Sequence, residues 1–253
     1  MSAIGKFVWY ELLTTERAAA EKFYGPVIGW RFAPSGMPMD YSFIEAAGKG
    51  IGGVMSQGAG APPRWKGVVG VADVDGAAQC AEALGGRIVE PPQDIPGGFG
   101  RIATLADPGG AEFAVYANPS APGSMEAAQR PGAPGFGGWH ELNSDDPMGA
   151  LEFYSGLFGW RPDQAIEMGE MGTYQIFAID GAPAGGIMKR PPQLPLVCWF
   201  YYFNVDGIRA AMQRVAAAGG KVVMGPQQVP GGSWILIGQD PQGAAFALVS
   251  GEE

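Results

Sequence analysis

Residues 139–161, WHELNSDDPMGALEFYSGLFGWR, decide the fold because they repeat residues 9–31, WYELLTTERAAAEKFYGPVIGWR. The two stretches stand at a constant offset of 130 residues. Each begins with a short run whose pattern is typical of a strand, and continues into a segment with helical spacing that ends at Gly-Trp-Arg. The chain therefore contains two units that start in the same way.

The repeat continues to the end of each half, with offsets of 133 or 134 residues. Small, ordered changes of offset are what short loop insertions produce in a duplicated chain. We predict two modules, residues 1–118 and 138–253, joined by a Pro-, Gly- and Ala-rich linker at residues 119–137. The matching pairs include Tyr41 and Tyr174, Gly53 and Gly186, Trp65 and Trp199, Gly85 and Gly219, and Asp107 and Asp240.

Within each module the pattern changes twice from the two-residue period of strands to the 3.6-residue period of helices. The predicted helix caps are Thr14 or Thr15 and Asp73 in the first module, and Ser144 or Asp145 before Pro147 in the second. This alternation favours an α+β fold built from strand–helix–strand units. In the first module strands are predicted at residues 7–13, 41–44, 53–55, 67–71, 87–89, 101–105 and 113–116.

Composition and charge exclude several classes of function. The 253-residue chain is 47% apolar and carries a net charge of −9. An acidic chain without clusters of Lys or Arg is not expected to bind nucleic acid or an anionic membrane. We expect a cytoplasmic protein, because no apolar run approaches the roughly 18 residues of a membrane span and the N-terminus lacks a signal-peptide pattern. Cys80 and Cys198 are expected to be buried thiols rather than a disulfide.

In this order and at these spacings, the motifs resemble the vicinal oxygen chelate superfamily of glyoxalases, bleomycin resistance proteins and extradiol dioxygenases. The carriers are Trp139-His140-Glu141-Leu142 with Phe153-Tyr154 and Gly159-Trp160, the helix between Val71 and Gly86, and the Asp-Pro-x-Gly-Ala turns. The resemblance covers nearly the whole chain and is nearest to the two-module glyoxalase-like subgroup. It implies tandem paired-βαβββ modules that form two curved mixed sheets, each with a ligand on its concave side.

The resemblance also implies where a divalent metal would be bound. The ligand position on the closing strand falls on alanine in both copies, Ala114 and Ala247, and methyl groups bind no metal. We therefore predict no metal ligand and no cofactor, and a divalent metal is the alternative. A shift of one or two residues in the alignment with the family pattern would bring Glu11, His140 or Glu141 to a ligand position. Extradiol dioxygenases use two His and one Glu as metal ligands. Because this chain has a single His, the sequence argues against that activity. The family's ligand positions fall on Trp9, Trp139, Lys66, Phe200, Ala114 and Ala247.

Strand alternation suggests which side chains face the ligand. If Trp9 and Glu11 share one face, then Trp139 and Glu141 share the equivalent face in the second module. A carboxylate in an aromatic-walled cup is suited to proton abstraction or to binding a cationic or hydroxylated ligand. Glu11 and Glu141 are therefore candidate catalytic residues, and the alternative is a structural role through hydrogen bonds to the backbone or to tyrosines. His140 is a third candidate base, although alternation directs it toward the helices.

The other predicted ligand-binding residues are aromatic, amide or methionine side chains, and core packing is the alternative for each. Such walls suit a flat or apolar small molecule better than a phosphate or a sugar. The predicted set is Trp9, Trp139, Asn143, Tyr41, Tyr174, Phe200, Tyr202, Met55, Met188 and Trp234.

We therefore expect a small-molecule-binding protein of the resistance or detoxification type. The alternative is a glyoxalase-like lyase or isomerase that uses the cavity carboxylates, with or without a divalent metal, so enzyme activity is left open. The expected partner is a small-molecule ligand. A monomer or a homodimer is expected, and the argument for a monomer is that tandem fusion already supplies the pairing that single-module relatives obtain by dimerising.

Overall fold

A computed structural model of the chain describes residues 3–58, 60–118, 120 and 126–253. Within this described part, the order strand–helix–strand–strand–strand occurs four times. This confirms the predicted α+β class and the tandem paired-βαβββ modules. Residues 119 and 121–125 of the predicted linker lie outside the described residues.

The first two repeats form one eight-stranded mixed sheet. Its elements are β1 (Phe7–Thr14), α1 (Arg17–Ile28), β2 (Arg31–Pro34), β3 (Tyr41–Ala46), β4 (Lys49–Ser56), β5 (Arg64–Gly70), α2 (Val74–Ala83), β6 (Arg87–Asp94), β7 (Arg101–Ala106) and β8 (Glu112–Ala117). The strand order is β2-β3-β4-β1-β5-β8-β7-β6. The pairs β1/β4 and β5/β8 are parallel, and the sequence analysis missed the short strand β2.

The last two repeats form a second eight-stranded sheet. Its elements are β9 (Gly137–Ser144), α3 (Pro147–Phe158), β10 (Arg161–Glu167), β11 (Thr173–Ile179), β12 (Ala182–Lys189), β13 (Cys198–Asn204), α4 (Ile208–Ala217), β14 (Lys221–Gln228), β15 (Trp234–Gln239) and β16 (Ala245–Ser250). The strand order, β10-β11-β12-β9-β13-β16-β15-β14, is equivalent to that of the first sheet. None of the four described α-helices is both long and apolar enough to cross a membrane.

Two of the predicted helix caps are wrong, and one is confirmed. Asp73 caps α2 as expected, with its side chain accepting from the Asp75 amide. The cap of α1 is Glu16 rather than Thr14 or Thr15, and the cap of α3 is Asp146 rather than Ser144 or Asp145. Both predicted caps lie too early in the sequence, because the preceding strands continue through Thr14 and Ser144 before the chain turns.

The described residues form two compact units, and each unit contains segments from both sequence copies. Unit 1 comprises the described residues of 1–8, 67–127 and 140–199. Unit 2 comprises the described residues of 9–66, 128–139 and 200–253. The repeated motifs thus meet partners that are distant in the sequence.

A buried relay of hydrogen bonds holds unit 1 together. Trp199 Nε1 donates to Tyr154 Oη at 3.0 Å, and Tyr154 Oη donates to Asp107 Oδ2 at 3.2 Å. Burial raises the pKa of Asp107, whose other oxygen accepts from the Ala111 amide. Because buried polar groups need partners, this relay fixes α3 against the Asp-Pro-x-Gly-Ala turn of the other copy.

Unit 2 contains the same relay with the copies exchanged. Trp65 Nε1 donates to Tyr24 Oη at 3.1 Å, and Tyr24 Oη donates to Asp240 Oδ2 at 3.0 Å. The tyrosine and aspartate are 216 residues apart. The Phe-Tyr and Asp-Pro-x-Gly-Ala motifs of the repeat are therefore structural partners across the two copies.

Candidate functional site

The strands that begin each half present their candidate residues on one face. In β1, Trp9 and Glu11 are half-buried, whereas Tyr10 and Leu12 are fully buried. The β9 strand has the same burial pattern, with half-buried Trp139 and Glu141 alternating with buried residues. The predicted direction of these side chains agrees with the observed burial.

In unit 2, four side chains form what we call the Glu11 cluster: Trp9, Glu11, Tyr41 and Lys66. Lys66 Nζ lies 3.3 Å from Glu11 Oε2, and the two side chains are only 6% and 13% exposed. Trp9 Nε1 donates to Tyr41 Oη at 2.9 Å, and Tyr41 also hydrogen-bonds to Glu11. Because an indole N–H can only donate, the Tyr41 oxygen accepts from Trp9 and its proton is directed to the carboxylate. Burial, and then the charge of Glu11, raise the pKa of Tyr41.

A glycine makes this arrangement possible. Gly53 lies beside Glu11 in the parallel pair β1/β4, and a Cβ atom at Gly53 would lie 1.8 Å from Tyr41 Oη. The Tyr41 side chain therefore crosses β4 over Gly53 to reach Glu11 on β1. Gly53 is a site residue that the sequence analysis missed, although its repetition as Gly186 was a signal for it.

In unit 1, three side chains form what we call the Glu141 cluster: Glu141, Asn143 and Tyr174. Tyr174 Oη donates to Glu141 Oε2 at 3.2 Å, and Asn143 Nδ2 donates to Glu141 Oε1 at 3.3 Å. A Cβ atom at Gly186 would lie 2.0 Å from the Tyr174 ring, so this tyrosine also crosses a glycine to reach its carboxylate. Both donors orient the carboxylate without contributing a positive charge.

His140 does not join the Glu141 cluster. It is fully buried, its ring stacks on Phe7 at 3.8 Å between centroids, and Nδ1 lies 2.9 Å from the Ala184 carbonyl oxygen. Burial lowers the pKa of His140 to about 3. These surroundings fit a packed, neutral histidine on the face of β9 opposite Glu141.

The remaining predicted residues lie at several places on the sheets. Met55 pairs in register with Leu13 and Tyr41, and Met188 pairs in register with Asn143, so each methionine borders a cluster. Phe200 and Tyr202 are buried on β13, Trp139 is half-buried on β9, and Trp234 is half-buried at the start of β15.

The residues present do not fit the divalent metal that the family resemblance implies. Ala114 on β8 and Ala247 on β16 take the ligand positions of the closing strands, in register with Val68 and Tyr202, and a methyl group cannot ligate a metal. The Lys66 ammonium beside Glu11 would repel a divalent cation. Across residues 3–58, 60–118, 120 and 126–253, no three His, Cys, Asp or Glu side chains form a group that could hold a metal.

Comparison with known proteins places the chain in a family. Residues 138–248 match the Glyoxalase/Bleomycin resistance protein/Dioxygenase superfamily model, and residues 10–116 match the Glyoxalase-like domain model. The protein named "Putative glyoxylase CFP32" of Mycobacterium tuberculosis is 33% identical over 95% of this chain and 93% of its own length. The chain belongs to this superfamily, also called the vicinal oxygen chelate superfamily, with two glyoxalase-like domains.

A second group of relatives has a different name. "Anthracycline biosynthesis protein DauV" of Streptomyces sp. is 29% identical over 98% of this chain and 94% of its own length. Among solved structures, the Mn(II)-bound glyoxalase from Novosphingobium aromaticivorans matches all of this chain and 84% of its own with a TM-score of 0.68 at 16% identity. The 2,3-dioxygenase LapB from Pseudomonas sp. KL28 matches all of this chain and 94% of its own with a TM-score of 0.69 at 12% identity. At these identities the two structures show the fold alone.

Proposed function

We propose that this chain is a small-molecule-binding protein of the resistance or detoxification type that takes a flat aromatic ligand on its two carboxylate-bearing sheet faces. The observation that carries the proposal is the repeated cluster in which a tyrosine crosses a glycine and hydrogen-bonds to a half-buried glutamate. Sites for small molecules combine apolar and aromatic walls with a few fixed polar groups that orient the ligand. The clusters supply both.

The aromatic character of the Glu11 cluster supports a flat ligand. Trp9 and Phe43 pack edge to face with centroids 6.0 Å apart, and Tyr41 packs on the same Phe43 at 5.8 Å. Rings that are already positioned lose little conformational entropy when a ligand ring stacks on them. The name of DauV, a protein of anthracycline biosynthesis, supports the same ligand class, because anthracyclines are fused, flat ring systems.

The experiment is a titration of the purified full chain with an anthracycline and with an uncharged anthraquinone. We expect saturable quenching of tryptophan fluorescence, with a heat of binding that titrates at the same concentrations. A Trp9→Leu variant should weaken binding by about tenfold through lost ring contact, whereas Met148→Leu, at an exposed position on α3, should bind like the wild type. Absence of saturable binding for both probes contradicts the proposal.

The alternative function is a glyoxalase-like lyase or isomerase, and the relative with 33% identity carries a glyoxylase name. In that case the oriented carboxylate of Glu11 or Glu141 would remove a proton from carbon next to a carbonyl and return it to the neighbouring atom. An assay with an α-oxoaldehyde–thiol adduct tests this alternative. Turnover that is lost by at least about a hundredfold in Glu141→Gln or Glu11→Gln, but kept in Glu152→Gln, would favour the enzyme.

A further inference from the structure

The sheet face that carries Glu11 has a row of three residues across three neighbouring strands. In unit 2, Phe43 on β3 lies in register with Gly53 on β4, and Gly53 lies in register with Glu11 on β1. Residues in register on adjacent strands share one face of a sheet. Phe43 is therefore at the outer end of the row that begins at the candidate carboxylate.

The face that carries Glu141 has the same row with an isoleucine at its outer end. In unit 1, Ile176 on β11 lies in register with Gly186 on β12, and Gly186 lies in register with Glu141 on β9. Ile176 is half-buried, as Phe43 is, so both side chains are partly accessible. The two copies thus share the glutamate and the glycine but differ in whether the third residue is aromatic.

Phe43 contacts both other rings of an aromatic wall in unit 2. Its ring is nearly perpendicular to that of Trp9, at 84°, and to that of Tyr41, at 78°. Trp9 is also held by the hydrogen bond from its Nε1 to Tyr41 Oη. Perpendicular rings offer a planar ligand the face of one ring and the edge of the next, and both are favourable aromatic contacts.

We propose that Phe43 makes the Glu11 face the tighter site for a planar, fused-ring aromatic ligand, and that Ile176 makes the Glu141 face the weaker one. This inference rests on the proposed function and adds to it the residue that distinguishes the two faces. An isoleucine supplies apolar area but has no ring quadrupole. It therefore favours a planar ring system over a twisted one less than a phenylalanine does.

The test uses two uncharged probes of similar size. Fluorenone is planar because a bond joins its two phenyl rings, whereas benzophenone lacks this bond and is twisted. In calorimetric titrations of the full wild-type chain, we expect fluorenone to bind at two sites whose Kd values differ by about two- to tenfold, the effect of one aromatic contact. The difference should be smaller for benzophenone.

Reciprocal exchange of the two residues assigns the difference to one position. Phe43→Ile should weaken the tighter fluorenone site by about two- to tenfold, and Ile176→Phe should strengthen the weaker site by a similar factor. The matched control is Phe32→Ile on the neighbouring strand β2. Phe32 lies in register with Ile44 and packs toward Gly25 of α1, on the sheet face opposite Phe43, so this variant should bind fluorenone like the wild type.

Two equal fluorenone sites in the wild type would overturn the inference, as would a preference for benzophenone. The inference also fails if the tighter or single site survives Phe43→Ile, or weakens as much in Phe32→Ile. Circular dichroism checks the fold of each variant, and if Phe43→Ile does not fold, an unchanged weaker site in Ile176→Phe is the contradicting result. Saturable fluorenone binding in any of these cases keeps the proposed function. If neither probe binds, the proposed function fails as well.

Discussion

The Glu11 cluster and the Glu141 cluster are built from the same repeat but surround their glutamates with different groups. Both place a tyrosine over a glycine so that its hydroxyl reaches a glutamate. In the first, Lys66 Nζ lies 3.3 Å from the carboxylate, and a phenylalanine takes the place of this lysine in the second copy. In the second, Asn143 stands in the place of Leu13 and donates to the carboxylate. Duplication preserved the geometry of the carboxylate, and substitution of neighbouring residues changed the groups around it.

The largest expected difference between the clusters comes from removing the cation. Lys66→Met leaves the largely buried Glu11 without its ammonium partner, and we expect a loss of about 3 kcal/mol in unfolding free energy. Glu141→Gln weakens the hydrogen bonds from Tyr174 and Asn143 and should cost about 1 kcal/mol. Urea unfolding followed by circular dichroism measures both values.

The double variant Lys66→Met with Glu11→Gln serves as the control for the ion pair. It should recover most of the loss, because the remaining groups are neutral. Equal costs for Lys66→Met and Glu141→Gln would remove the distinction between the clusters.

A second prediction concerns the geometry that the clusters share. Gly53→Ala and Gly186→Ala each place a methyl group where the tyrosine now lies, and we expect each to cost about 1–3 kcal/mol by forcing the ring aside. Gly50→Ala is the matched control on β4, because its Cβ would lie 3.4 Å from the nearest Trp9 atom, an ordinary contact. Thermal unfolding measures the stability of each variant. Titration of the tyrosine absorbance at alkaline pH measures the environment of the ring. A control as costly as the two test variants would refute this explanation.

A third effect, which is small near neutral pH, separates the buried faces of the first strands, where His140 stands in the place of Tyr10. Burial lowers the pKa of folded His140 to about 3, below its ordinary value near 6.5. Between these values the unfolded chain binds a proton that the folded chain does not, so stability should fall as the pH falls from 6.5 toward 3. The contribution is about 1.4 kcal/mol per pH unit at most.

His140→Phe removes this proton linkage while keeping an aromatic ring against Phe7. The unfolding free energy of the variant, measured by urea titration between pH 6.5 and 4, should depend on pH less steeply than that of the wild type. Parallel pH profiles for the two proteins would mean that His140 is not held neutral by burial.

Much of the fold could be predicted, because repetition and periodicity are local signals. The strands beginning at Phe7 and Arg101, the Asp73 cap and the βαβββ order all follow from patterns within a few residues. The short strand Arg31–Pro34 was missed because four residues are too few to show a period. Hydrogen bonds from tyrosines to Glu11 and Glu141, the alternative that the sequence offered to a catalytic role, are present. The glycine beneath each tyrosine is visible only when three adjacent strands are aligned.

The sequence by itself determined the duplication, the α+β class and the face on which Trp9 and Glu11 lie, because these depend on order and alternation along the chain. Only the tertiary structure decided that Tyr24 bonds to Asp240 and that Lys66 neutralises Glu11. Such partners are dozens to hundreds of residues apart, and a chain pattern contains no information on which distant strands become neighbours. Hydrogen bonds and ion pairs act over a few ångströms, so they are set by the register of the assembled sheets.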